Sequence, residues 1–302
     1  MKKNFEIEKA ILLGRGIKNY EKFLNPSVDK LNNPLLLADG KRAAKRILEA
    51  IKNREKICIF GHDDVDGITS TVILYRYLTK LGSEKISYYI PNREYEKYGI
   101  QKPFLDKILK ENVKLIITVD SGINELDAID FLNKQKIDSI ILDHHIIYKE
   151  IPKAFAVVNP KRKDCKFPFN MLAGVGVVFN ILKIIEKFQE ENIENLYIIL
   201  TGLGTISDRM PLIDDNRIFS KYIFENIKKS ENTFLKFFID ENRNLSKQKK
   251  IKHLIKILTM GRDENGVHFG VDILLEEEIL KVKEIYQILQ NRLVNNNKEI
   301  DE

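Results

Sequence analysis

Residues suited to metal and phosphate chemistry fall in three short strings: GHDDVDG at 61–67, TVDSG at 118–122 and LDHH at 142–145. Together these carry Asp63, Asp64, Asp66, Asp120 and Asp143 with His62, His144 and His145. Carboxylates gathered in one place repel each other, and removing them from water adds to the cost. Divalent cations offset both terms, so a converging cluster of this kind points to metal-dependent cleavage of a phosphoester.

In the first string, His62, Asp64 and Asp66 alternate, a spacing that can turn three ligands to one side of a strand end. Imidazole mixed with carboxylate suits manganese, and magnesium less well. Gly67 lets the backbone turn tightly into the next helix. The competing reading is a turn whose aspartates cap that helix. Asp120 taken alone reads first as a cap of the next helix rather than as a ligand. Adjacent histidines after a buried strand are costly to leave unpaired; one can ligate while its neighbour donates to a phosphoryl oxygen. A fourth string, GTISDRMPL, supplies Asp208, weak by itself but telling as the fourth acidic site in order.

The elements that position these strings alternate. An amphipathic helix over 40–53 precedes a strand over 55–61, and a helix over 68–82 comes after the first string. Strands are expected at ISYYIP, at 113–120, at 138–143 and at 155–160, with a helix over INELDAIDFLNKQ. Alternating strands and helices predict an α/β fold with a doubly wound, mostly parallel sheet, followed by a helical region. Ligands of such sheets bind beyond the carboxyl ends of the strands, where all three strings lie. Asn170 is expected to cap a helix running through LAGVGVVFNILKIIEKF. Residues 241–253 are polar and basic, a hinge or an exposed face. DILLEEEILKVKEIYQILQNRL predicts one long helix, with NNNKEIDE frayed. The expected division is a lead-in over 1–50, a catalytic domain over 51–230 and an extension over 231–302.

The chain has 302 residues, enough for a sizeable core, and a formal net charge of +6. With acids committed to a cluster, the remaining surface is more basic than the total, compatible with a polyanionic substrate or with plain compositional bias. No apolar run approaches the ~18 residues of a membrane span. Glu6 and Glu8 interrupt any signal-peptide core. Two isolated cysteines, Cys58 and Cys165, make neither a disulfide framework nor a zinc pattern, so a cytoplasmic location is expected.

The order of these strings resembles the DHH phosphoesterase family, and most closely its RecJ branch of single-strand-specific DNA exonucleases. The likeness extends to GIKNYEKFLNPS, YYIPNREYEKYGI, VVNPKRKD, FPFNMLAGVGVVF, PLIDDNR and MGRDENG, and so to nearly the whole chain. It implies two-metal, usually manganese-dependent hydrolysis of phosphodiesters, releasing mononucleotides from the 5′ end of single-stranded DNA. By that resemblance His62, Asp64 and Asp120 hold one ion, while Asp66, Asp120, His144 and Asp208 hold the other, with Asp120 bridging. His145 stabilises charge on the phosphoryl oxygens and Asp143 orients a neighbouring histidine. A single-stranded-DNA-binding protein or a helicase is the partner class implied, and no membrane. Oligoribonucleotides or cyclic dinucleotides are the alternative substrates, and a binding relative without catalysis is the third reading.

Arg93 is the candidate for substrate phosphate, with a salt bridge to Glu94 or Glu96 as its structural alternative. Lys161, Arg162 and Lys163 form a basic run that touches a nucleic-acid backbone or is a solvated loop. Gly174 and Gly176 permit close backbone approach to the cluster or to another element, with packing as the first reading. The chain departs from the RecJ pattern at His62, where aspartate is usual, at Asp63, where an aromatic is common, and at Lys97. The second domain that RecJ-like proteins carry after the long helix is expected to be missing.

Overall fold

The computed structural model describes residues 2–301 apart from 94, 95, 98, 190–193, 264 and 265. In chain order the elements are α1 (Lys2–Gly14), α2 (Tyr20–Leu24), α3 (Gly40–Lys52), β1 (Ile57–Phe60), α4 (Val65–Lys80), β2 (Ile86–Tyr89) and α5 (Lys102–Lys110). They continue with β3 (Leu115–Val119), α6 (Leu126–Lys134), β4 (Asp138–Leu142), β5 (Ala156–Val158), α7 (Gly174–Gln189) and α8 (Asn195–Ser207). The chain then becomes helical throughout: α9 (Asp214–Asn226), α10 (Thr233–Glu241), α11 (Lys247–Thr259), α12 (Phe269–Leu275) and α13 (Ile279–Asp301).

All five strands are parallel, in the order β2-β1-β3-β4-β5. Strand side chains alternate between two apolar layers. Ile57, Ile59, Leu115, Ile117, Ile140 and Leu142 join one core with α3, α4, α7 and α8. Cys58, Phe60, Ile116 and Ile141 join the other, where Phe104 and Ile108 of α5 and Ile129 and Leu132 of α6 pack. Burial on both faces is why these strands read as unbroken apolar runs. Strand order reverses between β1 and β3, and the crevice at such a switch point receives ligands. The first string comes after β1 and Asp120 after β3, so the chemistry sits at that crevice.

Several expectations need correction. The long C-terminal helix is two helices, broken at Glu276–Glu278, where the Glu276 side chain accepts from the backbone N–H groups of Glu277 and Glu278 at 2.9 and 2.8 Å. The side chain of Asn232 also takes up the Leu274 carbonyl at 2.8 Å, ending α12. Residues 295–301, expected to fray, continue α13 to Asp301. Of the two readings of 241–253 the exposed face holds: most of these residues are open to solvent, and 247–253 open α11, capped by Ser246. The helix expected from Asn170 begins instead at Gly174.

Candidate metal centre

Each string leaves a strand and turns at once. After β1, Asp64 caps α4, its Oδ1 accepting from the Gly67 N–H at 3.0 Å. A side chain added at Gly67 would meet the His62 carbonyl at 2.4 Å, so only glycine fits there. Asp66, in the first turn of α4, is buried, and its two oxygens accept from Gly174 and Val175 N–H at 2.7 and 2.8 Å. It thereby takes the positive end of α7, the role expected of Asn170. After β3, Asp120 adopts φ 55°, the left-handed region that a non-glycine residue rarely enters. Its N–H bonds to Leu142 at 3.0 Å, which sets it beside the start of the DHH string.

These turns bring every metal-ligand candidate together. His62 Nδ1 lies 3.1 Å from Asp64 and 3.7 Å from Asp120 Oδ2. On the other side of the same carboxylate, His144 Nε2 lies 3.1 Å from Asp120 Oδ1, 3.6 Å from Asp208 and 3.8 Å from Asp66. Three triads have ligand atoms close enough to share an ion: His62, Asp64 and Asp120; Asp66, His144 and Asp208; and Asp120, His144 and His145. Asp208 reaches the cluster from the end of α8. Asp120 faces both sides with different oxygens, the arrangement a bridging carboxylate requires.

The electrostatics favour cations. Burial, then the charges of neighbouring aspartates, drives the carboxyls of Asp66 and Asp120 well above the ordinary range. The same causes push Asp208 up to about 6. Burial also opposes charge on Asp64, but the His62 hydrogen bond prevails and holds it low. Burial and the neighbouring His145 lower His144 to about 4, leaving a neutral imidazole able to ligate. Among the described residues, Asp120 Oδ1 and both ring nitrogens of His144 are buried without a hydrogen-bond partner. Buried polar atoms without partners are rare, and a cation between His144 Nε2 and Asp120 Oδ1 satisfies two of these three. The donor set of imidazole and carboxylate fits manganese, and magnesium with fewer imidazoles.

His145 is placed differently. Its Nδ1 lies 2.7 Å from Asp143 Oδ1, and this bond raises its pKa. Asp143 is itself buried, yet the bonds from His145 and from the Ile123 N–H, the latter 2.9 Å long, keep it ionised. Arg93 lies beside the cluster, its Nη2 3.1 Å from His62 Nδ1 and its Nε 2.6 Å from Asp63. The expected salt bridge to a nearby acid is made with Asp63; Glu96 bonds Tyr89 and the Asn92 N–H, and the Glu94 alternative lies outside the described residues. The basic run divides. Lys161 donates to the carbonyl of His144, whereas Arg162 joins Asp39, Asp164 and the Val157 carbonyl as a structural clasp. Gly174 is closer to the chemistry than packing alone: a Cβ there would sit 2.6 Å from the Cβ of Asp120.

The family model for the N-terminal domain of the DHH family matches residues 56–205. The chain belongs to the DHH family. Among curated relatives, the DHH chain is 32% identical over 303 residues to the single-stranded-DNA-specific exonuclease RecJ of Haemophilus influenzae, covering 95% of this chain and 52% of that protein. It is 35% identical over 234 residues to RecJ of Bacillus subtilis, covering 76% of this chain and 29% of that protein. The chain thus spans about half, or less, of the length of these relatives. A crystal structure of exonuclease RecJ bound to manganese shares the DHH architecture with a TM-score of 0.78 at 24% identity, over 87% of this chain and 67% of that one. RecJ from Thermus thermophilus in complex with Mn2+ superposes with a TM-score of 0.79 at 22% identity, over 95% of this chain and 41% of that one. Among the described residues, no helix is long and apolar enough to cross a membrane.

The sequence did not single out Arg262. It stands 2.8 Å from the second oxygen of Asp63. The signal that could have found it is the acid itself, which stands between two candidate ligands, His62 and Asp64.

Proposed function

We propose that the chain is a metal-dependent phosphodiesterase that removes mononucleotides from single-stranded DNA, working from the 5′ end. The observation that carries this reading is Asp120, with one oxygen toward His62 and Asp64 and the other toward His144. The DNA substrate rests on the RecJ relatives, which are named as single-stranded-DNA-specific exonucleases.

In this reading His62, Asp64 and Asp120 would hold one divalent cation, and Asp66, Asp120, His144 and Asp208 a second. Such cations, when bound, supply positive charge for phosphoryl oxygens and make water a stronger acid. The chain's own residues do the rest. Asp143 holds His145 by Nδ1, which aims Nε2 outward and keeps the ring inclined to carry a proton. That proton is donated to a phosphoryl oxygen as its charge grows. Arg93, two-fifths exposed, offers its guanidinium to a phosphate. Lys161, tied to the His144 carbonyl, adds a nearby positive charge. Bases need only sequence-tolerant contacts in such a reaction. A cytoplasmic location belongs to this reading and is supported by two unpaired cysteines.

The test is release of mononucleotides from 5′-phosphorylated single-stranded DNA in manganese, beside duplex DNA, short RNA and cyclic dinucleotides. Degradation of single-stranded DNA supports the proposal. Preference for RNA or dinucleotides replaces the substrate class, and inactivity on all four with no bound metal overturns the reading.

A further inference from the structure

Asp208 is the least enclosed member of the triad it forms with Asp66 and His144: its side chain is 27% exposed, against 1% and 6% for the other two. No hydrogen bond reaches its carboxylate among the described residues, whereas Asp66 is bonded by the N–H groups of Gly174 and Val175. What places Asp208 is therefore its backbone, the turn between α8 and α9. Its N–H bonds the Gly204 carbonyl at 2.9 Å, and the chain then reverses through Arg209 at φ 55°. A ligand carried on a turn is only as well placed as the contacts that support the turn.

One side chain supplies that support. Asn216, in the first turn of α9 and fully buried, donates its amide to the Met171 carbonyl at 2.6 Å and to the Pro211 carbonyl at 3.1 Å. Pro211 belongs to the Asp208 turn. Met171 lies three residues before Gly174, where Asp66 holds the start of α7. The carboxamide thus ties together the two backbones on which Asp208 and Asp66 depend. Both neighbours are acceptors, so the amino group must face them, and its oxygen is left without a partner among the described residues. An unpaired buried acceptor costs stability, so the two donors carry the role of this residue.

The far end of the support is the N-terminal segment. Lys22 of α2 donates to Asp214 and Asp215, and Asn32 donates its side-chain amide to Asp214 at 2.7 Å. The Arg217 guanidinium lies over the ring of Phe23 at 4.4 Å. These contacts hold the first turn of α9, and Asn216 with it.

We propose that Asn216 is a positioning residue for the metal centre: it fixes the turn bearing Asp208 against the start of α7 and so sets the spacing between Asp208 and Asp66. The inference rests on the two-ion reading above. Lys22, through α9, keeps Asn216 in place.

The experiment titrates manganese calorimetrically into the metal-free chain and its variants. Asn216→Ala should weaken binding at the site that includes Asp208 by about tenfold, the effect of removing a group that orients a ligand, with the other site changed less than twofold. In an Asp208→Asn chain the same substitution should cost no further affinity, because its route to the ion is already cut. Asn216→Ser keeps one donor and covers the case in which Asn216→Ala fails to fold; it should lose less affinity, and again none once Asp208 is replaced. A merely structural Asn216 would lower the melting temperature and leave manganese affinity unchanged, or lower that affinity equally with and without Asp208; either result overturns the proposal. A wild-type chain that takes up no manganese overturns it together with the proposed function. A chain that binds manganese in the expected pattern but cleaves no nucleic acid supports the positioning role and sinks the proposed function alone.

Discussion

His144 Nε2 and Asp120 Oδ1 stand 3.1 Å apart, both buried, yet neither forms a hydrogen bond with any described residue. The imidazole is held neutral by burial and the carboxyl is pushed toward its protonated form by burial and neighbouring acids. Each is arranged for a shared cation rather than for the other.

Asp120→Asn should lower manganese affinity by roughly a hundredfold or more and remove hydrolysis, since a ligand weighs at least as much as its outer partners. Asparagine is the right replacement because it tolerates the left-handed backbone at φ 55°, where alanine adds strain. Circular dichroism checks the fold and calorimetry the metal. Retained turnover would contradict the bridging role.

Manganese affinity should fall with acid below about pH 6, where Asp208 takes up its proton. Metal and proton compete for the same oxygens, so affinity drops up to about tenfold per pH unit in that range. Above pH 6 the carboxylate is already ionised and the dependence on this group flattens. Calorimetry at pH 5, 6 and 7 reads this slope, and Asp208→Asn should reduce it along with overall affinity.

Gly174→Ala should disrupt both stability and the metal site. Its new carbon would sit 2.6 Å from the Asp120 Cβ and 2.9 Å from the Asp120 Cα, and backbone cannot yield as a side-chain tip can. Overpacking of this kind costs about 1–3 kcal/mol. Melting temperature and manganese affinity should fall together. An unaffected variant would mean that α7 and Asp120 can separate at little cost.

Arg162→Ala should lower stability by roughly 1–3 kcal/mol through loss of its contacts to Asp39, Asp164 and the Val157 carbonyl. Catalysis per folded molecule should be unchanged. Lys161→Ala should do the reverse, slowing turnover with little change in melting. Thermal unfolding and steady-state kinetics on the two variants separate the neighbouring roles.

The strands and the acids were legible because both depend on local pattern. Apolar runs such as KICIF and LIITV announce buried strands, and although one acid beyond such a run reads as a helix cap, several in order mark the strand ends as a site. The sheet and the metal cluster follow from that pairing. What the sequence concealed depends on distant partners. Lys22 meets Asp214 and Asp215 at 2.6 and 2.7 Å across 192 and 193 residues of chain, and no local pattern foretells it. The pairing of Asp63 with Arg262 was hidden for the same reason. The break at Glu276 escaped because EEE suits a helix by propensity; the side chain of Asn232 and the cap formed by Glu276 override that preference.

The proposed ligands lie at residues 62, 64, 66, 120, 144 and 208, at the ends of three strands and one helix. No short stretch of chain contains them, so the binding pocket exists only once the sheet has closed and α8 has docked. Metal loading is then coupled to the folding equilibrium. A bound ion acts as a clasp across four segments, and at 100 times its dissociation constant it would add about 2.7 kcal/mol to the native state. Starving such a molecule of its ions would loosen its architecture as well as silence its chemistry.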